Sequence, residues 1–146
     1  MLILSDTNLL LRSVQRSHPA CRVARRALSA LYRDGHTLCL TLQNMAEFWN
    51  VCTRPIHVNG MGLGIAATDR FVGRLERLFS ILPDSIEVFQ IWRQLVVEHS
   101  VIGVQVHDAR LVATMKAHNI RQIITFNVQD FARYRDIEVV HPDAIK

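Results

Sequence analysis

Short apolar runs that alternate with amphipathic stretches restrict this chain to a narrow group of folds. Met1-Leu2-Ile3-Leu4-Ser5 is apolar without a helical period and breaks at Asp6-Thr7-Asn8, helix-capping residues followed by Leu9-Leu10-Leu11. That reads as strand, turn and helix. Pro19 opens an amphipathic helix that turns Val23, Ala24, Ala27, Leu28 and Leu31 inward and stops near Asp34-Gly35. Thr37-Leu38-Cys39-Leu40-Thr41 is a second buried strand, running into a helix from Leu42 to about Thr53 that halts before Pro55. Residues 54–66 lack any period and carry Pro55, Asn59 and glycines 60, 62 and 64, which predicts a mobile loop. Helical periodicity resumes from Thr68 to about Leu82, and again after Pro83-Asp84-Ser85 through Val88, Ile91, Trp92, Leu95 and Val96. A stretch around Val101–Val106 leads into His107-Asp108-Ala109 and a helix through Leu111, Val112 and Met115. Residues 122–126 read as a strand and Glu138-Val139-Val140 as a last short one. This order predicts an α/β fold with a mostly parallel central sheet covered by helices.

At 146 residues, with 49% hydrophobic and 21% charged residues, the chain suits a single domain spanning 1–146. No apolar run approaches the roughly 18 residues of a membrane span, and Asp6 interrupts the place where a signal peptide would need its apolar core. Cys21, Cys39 and Cys52 are odd in number and lack zinc-site spacing, so they read as reduced core residues of a cytoplasmic protein. The net charge is +4, and 15 of the 17 basic residues are arginine. Arginine's planar fork suits phosphate oxygens, so the imbalance is compatible with a polyanionic partner, and equally with ordinary surface arginines. Arg22, Arg26 and Arg33 share one helical face and Arg70, Arg74 and Arg77 another; each stripe suits either a phosphate backbone or solvent.

Ligands of open α/β sheets sit at the carboxyl ends of strands, and several acids fall near such places. Asp6 ends the first strand, Glu47 lies six residues beyond the second, Asp108 begins a late helix, and Asp130 follows Thr125 by five residues. Carboxylates converging on one pocket need a cation to remain ionised together, and Mg²⁺ or Mn²⁺ is the natural occupant for oxygen ligands and phosphate substrates. Asp6 and Asp108 are also suited to plain helix N-terminal roles, Glu47 to a wet face and Asp130 to a cap. Met45, Ala46, Phe48, Trp49 and Val51 leave Glu47 little wet surface, so a metal, an arginine or a hydrogen-bond network should compensate its charge.

Four segments carry a family resemblance: residues 2–10 around Ser5-Asp6-Thr7-Asn8, residues 44–55 around Ala46-Glu47-Phe48, His107-Asp108-Ala109-Arg110-Leu111, and residues 124–131 around Thr125-Phe126-Asn127 and Asp130. In order and spacing they resemble the successive motifs of PIN-domain proteins, notably VapC-type toxins. The resemblance implies a three-layer α/β/α sandwich and a metal-dependent endoribonuclease, often encoded with an antitoxin that blocks the site. It implies Asp6, Glu47 and Asp108 as catalytic and metal-binding acids, and Asp130, three residues beyond the family's fourth acid position, is read as the fourth metal ligand. Many family members carry an acid where this chain has Asn127, which leaves Asn127 as a neutral ligand or substrate contact. Thr7 and Asn8 complete the first motif and are expected either to orient Asp6 or the scissile phosphate, or simply to cap the helix.

The leading expectation is a Mg²⁺- or Mn²⁺-dependent ribonuclease with an RNA substrate, an antitoxin partner and a homodimeric state. One rival is a catalytically weak PIN module that binds RNA or a protein for regulation. Another, an aspartyl-phosphate hydrolase using Asp6, lacks the second acid where Asn8 stands.

Overall fold

In the computed structural model, which describes residues 1–146, five parallel strands form one sheet in the order β3-β2-β1-β4-β5. The strands are β1 (Leu2–Ser5), β2 (Thr37–Thr41), β3 (Ser80–Leu82), β4 (Gln122–Ile124) and β5 (Glu138–Val140). Helices α1 (Thr7–Val14) and α2 (Cys21–Arg33) link β1 to β2, and α3 (Leu42–Thr53) and α4 (Ile65–Leu78) link β2 to β3. Helices α5 (Ile86–Glu98) and α6 (Val106–Ala117) then carry the chain back across the sheet to β4.

Strand side chains alternate between two cores, as the period of two requires. Leu4, Cys39 and Ile123 face a cluster built with Leu95, Val112 and Met115 of α5 and α6. Ile3, Leu38, Leu40 and Ile124 face the other, built with Leu9, Leu10, Leu31, Phe48 and Leu75 of α1 to α4. The three layers of the expected α/β/α sandwich are therefore present.

The sheet has a fifth strand beyond the expected four. Leu75, Leu78, Phe79 and Leu82 keep helical spacing, so the sequence reads as one helix to Leu82, but α4 ends at Leu78 and Ser80–Leu82 pairs with β2. An edge strand of 3 residues with one neighbour leaves too short a pattern to compete with the helical one.

The glycine-containing connection is also more ordered than its composition suggests. Met61 N donates to Val51 O, Leu63 N to Cys52 O and Gly62 N to Arg54 O, which lays the segment back along the end of α3. A Cβ at Gly60 would collide with the Arg54 carbonyl, so this glycine serves close backbone approach.

The chain proceeds outward from β1 to β2 and β3, then returns to the other side of β1 at β4. The β1–β4 seam is therefore the topological switch point, where the crossovers diverge and leave a crevice at the carboxyl edge.

Candidate active site

Asp6 stands at that seam. Its backbone N–H continues the ladder to Ile124 O at 3.0 Å, and its side chain caps α1 by accepting from Thr7 N at 2.7 Å. The second carboxylate oxygen accepts from Thr125 Oγ1 at 2.7 Å and from Asn8 Nδ2 at 2.9 Å. Asn8 is fully engaged: its amide also donates to Thr125 Oγ1 at 3.0 Å, and its Oδ1 accepts from Phe126 N at 3.1 Å. The end of β4 is thereby tied to the start of α1. Capping and site formation are here one arrangement.

Glu47 lies on α3, which leaves β2 through a buried capping box between Thr41 and Asn44. Its Oε2 accepts from Thr7 Oγ1 at 2.8 Å and its Oε1 from Gln43 Nε2 at 2.9 Å. Asn44 Nδ2 donates to Thr7 Oγ1 at 3.0 Å, which turns the Thr7 proton toward Glu47. Of the three forms of compensation expected for this half-buried acid, a hydrogen-bond network is the one found within the chain.

Asp108 reaches the same edge by a different route. No strand precedes it: Gly103–Gln105 is a 3-10 turn and α6 starts at Val106. A helix that leads into a parallel strand starts beside the carboxyl edge, so the first turn of α6 delivers Asp108 there. Gln43 Nε2 ties the two helices together by donating to His107 O at 2.9 Å. Asp130 sits in the turn Val128–Phe131 after β4, with an exposed side chain. Asn127 is also exposed, and its backbone N–H donates to Thr125 Oγ1 at 3.0 Å.

The four acids lie in one electrostatic field. Burial first, and then the charges of Asp6, Asp130 and Glu47, push the Asp108 carboxyl up to about 7, with Arg133 pulling the other way. The Asp6 carboxyl is raised by burial, helped by Glu47 and Asp130, against the hydrogen bonds from Thr125 and Thr7. None of the four forms an ion pair; the chain's salt bridges involve Asp34, Asp84, Asp136 and Asp143 instead. Gln43 Oε1, buried beside Glu47, also has no donor.

That donor set fits a hard divalent cation: carboxylate oxygens, an orphaned amide oxygen, and no histidine or thiolate among them. No three metal-ligating side chains form a ready-made cage in this arrangement. The fit is thus one of chemistry and charge, suited to a cation such as Mg²⁺ that retains several waters rather than one held wholly by protein.

Gln43, Asn44, Thr125 and Arg133 are members of the site that sequence reasoning did not assign a role. The available signals were Gln43-Asn44 interrupting an apolar helix start and Thr125 closing the apolar run Ile123-Ile124.

A parallel sheet with this switch point and acids gathered at its carboxyl edge defines a class, and the sequence match names it. Residues 3–137 match the PIN domain model, and the chain belongs to the PIN domain family. Its fold is similar to that of VapBC2 from Rickettsia felis, solved bound to a DNA fragment from their promoter (TM-score 0.70, 14% identity, covering 97% of this chain and 98% of that one). It also resembles VapC20 of Mycobacterium tuberculosis, a Sarcin-Ricin loop cleaving toxin (TM-score 0.69, 16% identity, 90% and 95% covered). A third similar structure is a toxin-antitoxin complex from Klebsiella pneumoniae (TM-score 0.66, 22% identity, 96% and 97% covered). No curated protein sequence matches the chain.

Proposed function

We propose that residues 1–146 form one domain acting as a VapC-type endoribonuclease that hydrolyses RNA phosphodiesters with Mg²⁺ or Mn²⁺. The observation that supports this reading is that Asp6, Glu47 and Asp130 lie near enough to Asp108 for their charges to raise its carboxyl, while none of the four has an ion-paired partner. Clustered charge of this kind is costly unless a cation completes it. Asp6, Glu47 and Asp108 would hold the metal and Asp130 would complete the set. The metal, when bound, supplies Lewis-acid polarisation of the phosphate and activation of water.

The chain's own polar groups do the positioning. Thr7 and Asn44 hold Glu47, while Asn8 and Thr125 hold Asp6 at the seam. Because Thr7 and Asn8 are committed to these bonds, we read them as positioning residues; exposed Asn127 is the substrate contact. The similarity to VapBC2 and to a toxin-antitoxin complex supports an antitoxin partner, and a cytoplasmic location goes with an RNA substrate. A homodimer is proposed through the apolar surface of Phe89 and Val97 on α5 with Ile102 and Val104, which are 79% and 81% exposed in the single chain. No helix is long and apolar enough to cross a membrane.

The test is cleavage of a structured RNA pool by the purified chain. Mg²⁺ or Mn²⁺ should support cleavage and EDTA should abolish it. Cleavage that persists in EDTA contradicts the mechanism, and RNA that is bound but never cut returns the chain to the regulatory binding-module reading.

A further inference from the structure

A site made of four acids repels the polyanion that it is proposed to cut, so attraction must come from elsewhere on the surface. The sequence from Thr7 to Arg33 contains no acid and carries six arginines, at 12, 16, 22, 25, 26 and 33. Folding gathers Arg16, Arg22, Arg25 and Arg26, with His18 and Ser29, around an open basin of about 980 Å³ at the junction of α1 and α2.

Two contacts locate this basin relative to the carboxylates. Arg25 Nε donates to Ser13 O at 2.7 Å, which anchors it to the last turn of α1, the helix whose first residue touches Glu47. Arg26 Nη2 lies 3.5 Å from Asp143 Oδ1, in the turn Pro142–Ala144 that follows β5 at the carboxyl edge. Helix α1 has 8 residues, and at 1.5 Å per residue it separates basin and carboxylates by about 12 Å. That distance suits a strand held at one place and cut at another.

The chemistry favours phosphate backbone. Every cation of the basin is arginine, whose fork takes two phosphate oxygens at once. Arg16 and Arg22 are exposed and make no hydrogen bond within the chain, so their donors are available. The basin offers little apolar surface for the anchors that a protein partner normally buries.

We infer that this arginine basin binds the phosphate backbone of single-stranded RNA beside the segment being cut, supplying affinity that the acidic site cannot. The inference rests on the nuclease reading, and its test separates the two.

The double variant Arg16→Gln/Arg22→Gln breaks no internal bond and should melt as the parent does. Its affinity for a 20-nucleotide RNA, measured by fluorescence anisotropy across salt concentrations, should fall roughly tenfold, with the salt slope reduced by about 1.4 for two lost phosphate contacts. Its cleavage of that RNA should lose the same factor through KM, while cleavage of a dinucleotide, whose single phosphodiester occupies the acidic site, stays at the parent rate. Unchanged affinity and salt slope would overturn the inference and leave the nuclease reading intact. Equal competition by polyglutamate of matched charge would overturn the assignment to phosphate. A parent protein that cuts neither RNA would remove the nuclease reading, while the anisotropy titration would still decide whether the basin binds RNA.

Discussion

The two sides of the carboxylate crevice are built in opposite ways. On the β1–α1–α3 side, Asp6 and Glu47 together accept five hydrogen bonds from Thr7 (backbone and hydroxyl), Asn8, Gln43 and Thr125. On the α6 side, the Asp108 and Asp130 carboxylates accept none, and Arg133 is the one opposite charge acting on Asp108. The first side fixes geometry before any ligand arrives. The second holds charge that a ligand must neutralise, so cation binding should be read out most strongly at Asp108.

The largest expected effects come from removing one charge on each side. Asp6→Asn and Asp108→Asn should each lower ribonuclease activity by orders of magnitude in Mg²⁺, as checked by steady-state RNA cleavage. Their stabilities should diverge. Asp6→Asn turns an amide donor toward the Asn8 and Thr125 donors, costing about 1–3 kcal/mol, whereas Asp108→Asn relieves repulsion and should raise the metal-free Tm at pH 8. Thermal melts that move in the same direction for both variants would break the contrast between the two sides.

Next in size is loss of positioning. Thr7→Val removes the hydroxyl between Asn44 and Glu47 while keeping the shape of the side chain. Activity should fall about 10- to 100-fold, as for other groups that orient metal ligands, and metal titration should show the weakened affinity. Asp130→Asn should cost less, since Asp130 is exposed on a turn and its carboxylate accepts no hydrogen bond.

The pH dependence is smaller and has a definite sign. The folded Asp108 carboxyl titrates near 7, against 3.8 when unperturbed, so between those values the folded state binds more protons than the unfolded one. Its contribution to stability therefore falls as pH rises from about 4 through 7. Metal-free protein should lose melting temperature between pH 5 and pH 8 by more than the Asp108→Asn variant does, and Mg²⁺ should reduce the loss.

What was legible in the sequence follows from the same asymmetry. The helices that pack on β1 and β2 announce themselves by period and by caps, and Asp6 and Glu47 occupy places that local pattern could locate. Asp108 was placed beside the right helix without the reason, which is the direction of α6 rather than a preceding strand. β3 was hidden because Phe79 and Leu82 continue the spacing of α4, and strand pairing with β2 is a tertiary fact. Gln43, Asn44 and Thr125 were invisible as site residues for a related reason. Short polar side chains near caps and strand ends look like capping residues until the fold shows which carboxylate they hold. The connection after α3 was misjudged because glycine content suggests mobility, whereas backbone bonds to Val51, Cys52 and Arg54 pin it.

The claim that Asp6, Glu47 and Asp108 serve one cation centre is tested most directly by calorimetric titration of Mn²⁺ into the parent chain and into Asp6→Asn, Glu47→Gln and Asp108→Asn at pH 7.5. The parent should bind Mn²⁺ with an affinity that each variant lowers at least tenfold, although the three residues lie on separate elements. Binding to the Asp108→Asn variant with the parent's affinity would contradict the shared centre.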